Sequence, residues 1–187
     1  MNKMNKRIAA AAVAAVIAAA AGAVPASGYA VSQPLAASAI CPSGYEEWGD
    51  WQYNVLSDGT IELSKYIGED TAVVVPDKDA EGRIITKIGN SAFRNKTSIV
   101  SLTLPDTLTT IGDSAFYNCN SLTEIIIPDS VTDIGKYAFE SCTSLENITI
   151  GKSVKNIGSY AFYECKALTK VVIPDSVTKV STSMFQG

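Results

Sequence analysis

Apolar positions in the second half of this chain follow two interleaved rhythms. Within short segments they alternate. In Leu122-Thr-Glu-Ile-Ile-Ile127 the inward set is Leu122, Ile125 and Ile127, and Ile126 points the other way. Such alternation predicts a strand buried on one face. Over longer distances, Phe93, Phe116, Phe139, Phe162 and Phe185 stand 23 residues apart. A fixed period of this length means one small structural unit copied and stacked as a solenoid.

Each copy predicts the same succession of elements. A strand of the form L-x-x-I-x-I comes first. Pro128 ends it in the second regular copy, because proline has no amide N–H for the ladder. Asp129-Ser130 supplies turn chemistry, and Val131-Thr-Asp-Ile134 reads as a second short extended segment. Gly135 allows a sharp bend or a close backbone approach. Tyr137-Ala-Phe139 is expected to form a helical or 3₁₀ turn before the next strand. One copy cannot bury its own apolar face, but stacked copies build continuous columns of Ile, Phe and Leu.

Upstream the period loosens. Val73-Val-Val-Pro76-Asp77 resembles the strand-Pro-Asp segment, and Ile84-Ile-Thr-Lys-Ile88-Gly89 rejoins the repeat, with about six residues inserted around Lys78 to Arg83. Before it, Tyr53 to Leu63 reads as a β-hairpin with Asp58-Gly59 at its turn. A divergent first unit of this kind suits an N-terminal cap. The fold class expected is therefore a solenoid, β-rich with short helical or 3₁₀ turns, a 23-residue period and an N-terminal β-hairpin cap.

The first residues have a different character. Lys3, Lys6 and Arg7 precede an uncharged apolar run from Ile8 to Ala23, and small residues follow at Ala26, Ser27, Gly28 and Ala30. This is the layout of a secretory signal peptide, with cleavage expected after Ala30 or Ala26. The run is shorter and less hydrophobic than a bilayer-spanning helix requires. Residues 1–30 are thus expected to be a signal peptide and 31–44 a flexible lead-in. The repeat domain takes up 45–187, with the divergent cap and first repeat in 45–98 and the regular repeats in 99–187. No stable membrane insertion is expected once the signal is removed.

Composition narrows the chemistry. The chain has no histidine, which removes His-based acid–base catalysis, Ser-His-Asp and Cys-His nucleophiles, and nearly all catalytic zinc sites. Its formal net charge is −4, and losing Lys3, Lys6 and Arg7 with the signal takes that to −7. An acidic chain without basic clusters does not suit nucleic acid, whose phosphates need neutralising. No cofactor and no metal site are expected.

Ile111-Gly-x-x-Ala115-Phe116-x-x-Cys119-x-Ser121-Leu122 and its 23-residue echoes, with Ile-Pro-Asp-Ser-Val at 127–131 and 173–177, resemble the bacterial-surface-antigen (BspA-type) leucine-rich-repeat family. The resemblance covers about residues 53–187. It implies an exported or surface-attached protein of bacterial type that adheres to protein or host matrix. Two departures stand out. Gly151-Lys152 replaces Pro-Asp in the third regular copy, and the last copy has Val180-Ser181 and Met184 where Ile-Gly and Ala belong.

Cys119, Cys142 and Cys165 fall in one repeat column and read as small buried hydrophobes, although an oxidising compartment leaves a disulfide open and Cys41 could find a partner. Asp106, Asp129 and Asp175 share another column. Each is expected to make its own turn hydrogen bonds, since Lys152 interrupts any cation site. Binding is expected on the outward positions of the main strand, in two columns: Ser101, Glu124, Asn147, Lys170, and Thr103, Ile126, Thr149, Val172. A second candidate surface carries Tyr117, Tyr137, Tyr160 and Tyr163. The last unit reaches only 20 of its 23 positions, so an open C-terminal end is expected, able to self-associate. The function expected is non-catalytic binding of an extracellular protein or glycan. The alternative is a structural spacer or targeting module of a longer surface protein.

Overall fold

The structure, a computed structural model, describes residues 39–40, 46–178 and 183–185. The expected signal peptide lies outside the described residues. Within the expected lead-in, Ala39–Ile40 forms a short strand, β1. It pairs antiparallel with β2 (Glu46–Trp48), and β3 (Trp51–Val55) and β4 (Ile61–Tyr66) follow. The turn between β3 and β4 closes on Asp58, whose Oδ1 accepts from the Thr60 amide at 2.9 Å and the Thr60 hydroxyl at 2.7 Å. Gly59 supplies the positive φ of 81° that this turn requires.

The repeats then wind between two sheets. Strands β5 (Ala72–Val74), β7 (Ser101–Thr103), β9 (Glu124–Ile126) and β11 (Asn147–Thr149) form one parallel sheet. The second strands, β6 (Ile85–Ile88), β8 (Thr110–Ile111), β10 (Asp133–Ile134) and β12 (Asn156–Ile157), form another. The hairpin joins this second sheet because β4 pairs parallel with β6. Every 23-residue unit thus makes one rung.

Alternation explains the burial. Leu122, Ile125 and Ile127 are all buried, while Ile126 between the last two is exposed. The four phenylalanines from Phe93 to Phe162 are also buried and stack in one column with ring centroids 5.0, 5.1 and 5.6 Å apart. Tyr66 stacks on Phe93 at 5.4 Å and Trp51 tilts against Tyr66 at 4.8 Å, so the hairpin's aromatics continue this column. Burying each phenylalanine contributes about 1.5–3 kcal/mol.

The Tyr137–Phe139 turn is not the helical or 3₁₀ turn expected from sequence. No helix occurs among the described residues. Two columns take positive φ instead in four successive rungs: Ser91, Ser114, Tyr137 and Tyr160, and Asn95, Asn118, Ser141 and Glu164, all between 53° and 61°. A left-handed residue breaks the run of right-handed dihedrals that any helix needs. It also turns backbone amides along the stack. The Tyr137 amide donates to the Ser159 carbonyl one rung on at 3.0 Å, and Phe139 to Ala161 at 2.8 Å.

Gly135 serves the close approach, not a positive φ. A Cβ there would lie 2.5 Å from the Asp113 backbone nitrogen.

Candidate functional site

The outward residues of the first sheet fall into two straight columns. Ser101 is in register with Glu124, Glu124 with Asn147, and Asn147 bridges to Lys170. Ile126 faces Thr149 across the same ladder, and Thr103 and Val172 hold the corresponding places one rung before and beyond. All eight of these residues are exposed. Sequence reasoning stopped one rung short: Ala72 pairs with Ser101 and Val74 with Thr103, so β5 extends both columns. The signal was present in Val73-Val-Val-Pro76, whose strand-proline pattern already matched.

Ile126 and Val172 are each 67% exposed, more than any other large hydrophobic side chain described. Polar residues surround both, so the face offers separate apolar points on a polar sheet rather than one oily patch. Beside Ile126 lies a shallow depression of about 530 Å³, lined by Asp106, Ile127, Pro128, Asp129, Thr149 and Gly151 among others.

The aspartate column works differently from expectation where the structure resolves it. Asp129 does not bond its own turn. Its Oδ1 accepts from the Lys152 amide one rung on at 3.0 Å, and its Oδ2 meets Lys152 Nζ at 2.8 Å. These hydrogen bonds from Lys152 hold the Asp129 carboxyl below its usual range. The Gly151-Lys152 departure therefore ties two rungs together. A Cβ at Gly151 would lie 2.3 Å from the Pro128 carbonyl oxygen, so the glycine lets the rungs approach. No cluster of metal-ligating side chains occurs among the described residues.

The cysteine column is buried, and its three thiols are free. Each thiol donates to a phenylalanine carbonyl of the preceding rung: Cys119 to Phe93 at 3.2 Å, Cys142 to Phe116 at 3.2 Å, and Cys165 to Phe139 at 3.1 Å. Burial pushes the Cys119 and Cys165 thiols up to about 12 and Cys142 well above its ordinary value. They are neutral, inert side chains. In the first rung Lys96 occupies this column, and its Nζ donates to the Gly68 carbonyl at 2.8 Å. Cys41 lies outside the described residues.

The residues inserted after Pro76 close around a buried carboxylate that sequence reasoning did not single out. Asp79 Oδ1 accepts from the amides of Glu81 at 3.0 Å and Arg83 at 2.8 Å, and its Oδ2 pairs with Arg83 Nε. Arg83 Nη2 also reaches Glu46 on β2 at 3.2 Å and the Tyr53 hydroxyl on β3 at 3.0 Å. Burial lowers the Arg83 pKa, but Asp79, Glu46 and Tyr53 together outweigh that and the net shift is upward. The insertion is a clasp between the first rung and the hairpin.

On the turn side, Tyr137 and Tyr160 stack with centroids 5.2 Å apart and planes 5° from parallel, and Tyr163 meets Tyr160 edge-on at 5.8 Å. Tyr117 lies under the Arg94 guanidinium, 4.0 Å from its ring centre. The sequence grouped these four tyrosines. The structure brings Tyr137, Tyr160 and Tyr163 into ring contact and gives Tyr117 to Arg94.

Parallel rungs of short strand, turn, shorter strand and phenylalanine turn, with exposed strand columns, define a leucine-rich-repeat solenoid. The model of the BspA-type leucine-rich-repeat region, six copies, matches residues 82–187, and the chain belongs to that family. It is similar to the crystal structure of a leucine-rich cell surface protein of Faecalibacterium prausnitzii A2-165, with 37% identity over 75% of this chain and a TM-score of 0.70. It is also similar to the leucine-rich-repeat protein of T. pallidum, with 31% identity over 64% of this chain and a TM-score of 0.53. The chain spans 39% of the former and 66% of the latter. No curated protein matches it.

Proposed function

We propose that this chain is a non-catalytic, exported module of the bacterial cell surface that adheres to an extracellular protein or glycan through the first sheet. The observation that carries this reading is the pair of exposed columns in register, with Ile126 and Val172 as apolar anchors among Ser101, Thr103, Glu124, Asn147, Thr149 and Lys170. A flat, ridged sheet of this kind suits a protein surface, since apolar anchors ringed by polar contacts dominate most interfaces. Export is supported by the Lys3-to-Ala30 pattern and by similarity to a leucine-rich cell surface protein of F. prausnitzii.

The test is surface plasmon resonance against immobilised extracellular-matrix proteins and cell-surface glycoproteins, with the native chain and Ile126→Asp. Binding that drops at least tenfold in the variant supports the reading. Binding unchanged by Ile126→Asp sinks the assignment of the face, and no binding to any of them sinks the function. N-terminal sequencing of the product from the culture medium or cell surface should begin at Val31 or Ser27.

A further inference from the structure

The two sheets end differently at the N-terminal side of the stack. The second continues beyond β6 through β4, β3, β2 and β1, whereas the first stops at β5 among the described residues. Alternate residues of a parallel strand bond to the neighbour on one side. Along this segment the Thr71 carbonyl accepts from the Ser101 amide at 3.2 Å, and the Val75 amide donates to the Thr103 carbonyl at 2.9 Å. Ala72 and Val74 therefore turn their amides and carbonyls away from β7. Neither residue has a hydrogen-bond partner on that side among the described residues.

This edge is open to another chain. Ala72 is exposed, and both outward side chains, Ala72 and Val74, are small. Amides and carbonyls set in line are matched by an extended backbone, which can give and accept a bond at each. Charge separates the chains that could supply one. Glu69, Asp70 and Asp77 flank the strand and are exposed, with Lys78 exposed beside Asp77. Lys96 also lies near, but its Nζ is held by the Gly68 carbonyl at 2.8 Å. A second copy brings the same three carboxylates and the same net negative charge to the edge, which opposes self-pairing. A basic segment meets the opposite field.

We propose that the outer edge of β5 is a docking site for an extended, basic segment of another protein, which joins the first sheet as a further strand. Its backbone takes up the Ala72 and Val74 amides and carbonyls. Lysine or arginine side chains at its two ends meet Glu69 and Asp70 on one side and Asp77 on the other. Main-chain bonds supply the affinity and the flanking charges the selectivity. The added strand lies about 4.8 Å from β5, as neighbouring strands do. This edge is distinct from the outward face of the sheet and does not rest on that assignment.

The test is surface plasmon resonance on immobilised peptides of about ten residues. One has a threonine–valine core flanked by lysines, one the same core flanked by glutamates, and one is the lysine form with an N-methylated backbone. They are probed with the full chain, Ala72→Pro, Asp77→Lys and Ile126→Asp. Proline at Ala72 removes an amide that no described group accepts from, at the start of a strand where proline is tolerated, so the fold should hold. Should it melt early, Asp77→Lys changes only an exposed side chain and carries the comparison. The expected result is retention of the lysine peptide alone, at least fivefold weaker with Ala72→Pro and Asp77→Lys and unchanged with Ile126→Asp. Hydrogen exchange at Ala72 and Val74 should be fast in the free chain and slow with the lysine peptide bound. Slow exchange at both amides in the free chain, retention of the N-methylated or glutamate peptide, retention unchanged by Ala72→Pro or Asp77→Lys, or no retention at all overturns the proposal. Loss in Ile126→Asp alone would move the peptide to the sheet face, and dimers that Ala72→Pro dissolves would give the edge to a second copy; both equally overturn it.

Discussion

The Cys142 thiol donates to the Phe116 carbonyl, 26 residues earlier, across 3.2 Å. Cys119 and Cys165 make the same bond to Phe93 and Phe139. The column therefore both fills space and gives the Phe93, Phe116 and Phe139 carbonyls a second donor beside the backbone amide three residues on. Replacing Cys142 with Ala should cost about 1–3 kcal/mol, combining a lost hydrogen bond with a small cavity. Urea unfolding of the two forms measures it. Alkylation of the native chain followed by peptide mass analysis should leave all three thiols unmodified, and modification in denaturant should reach all three.

The same thiols set an alkaline limit. Their ordinary value is 9.0, and burial raises Cys119 and Cys165 to about 12. The folded chain then holds these protons more tightly than the unfolded chain. The stability they contribute is complete below pH 9 and is lost as pH rises toward 12. Denaturation midpoints should fall between pH 9 and 11, and less steeply in a variant with all three cysteines changed to alanine.

Phe139 is fully buried between Phe116 and Phe162, its ring 5.1 and 5.6 Å from theirs. Phe139→Ala should cost about 3–5 kcal/mol. A calorimetric melt showing less than about 1 kcal/mol would mean that the column does not act as core.

Gly135 marks a place where two rungs meet tightly. A Cβ there would sit 2.5 Å from both the Asp113 nitrogen and the Gly112 carbonyl carbon, which are backbone atoms that cannot swing aside. Gly135→Ala should destabilise by about 3 kcal/mol. Gly82 has positive φ but open space around it. Gly82→Asn should therefore be nearly silent in the same assay, because asparagine tolerates that backbone.

Asp79→Ala should loosen the hairpin from the first rung. It removes the buried partner of Arg83 and leaves the Glu81 and Arg83 amides unsatisfied, at a cost of about 2–4 kcal/mol. Asp79→Asn keeps an oxygen for those amides and should cost less. Hydrogen exchange in Trp51–Val55 should quicken more in the alanine variant.

The rungs and their buried columns were legible because the 23-residue phenylalanine period and the Leu122-to-Ile127 alternation state both stacking and facing. Other features were not, each for a physical reason. Ser91, Ser114, Tyr137 and Tyr160 carry no glycine to announce a left-handed backbone, so the turn read as helical. Asp129 bonds Lys152 because neighbouring rungs bring residues 23 apart side by side, a contact that local turn rules do not contain. Arg83 reaches Glu46 across 37 positions with no motif linking them. The eight outward residues of the sheet were placed from alternation alone, and the structure adds Ala72 and Val74.

The hydrogen bonds from one rung to the next also run along the axis of the stack. Pulling the chain by its two ends loads those bonds in tension one interface at a time rather than in shear across many. The chain should behave as a stepwise extensible tether: each released 23-residue rung pays out about 70–80 Å of slack, seen as an evenly spaced sawtooth in a single-molecule pulling trace. A single abrupt rupture would show instead that the rungs yield together.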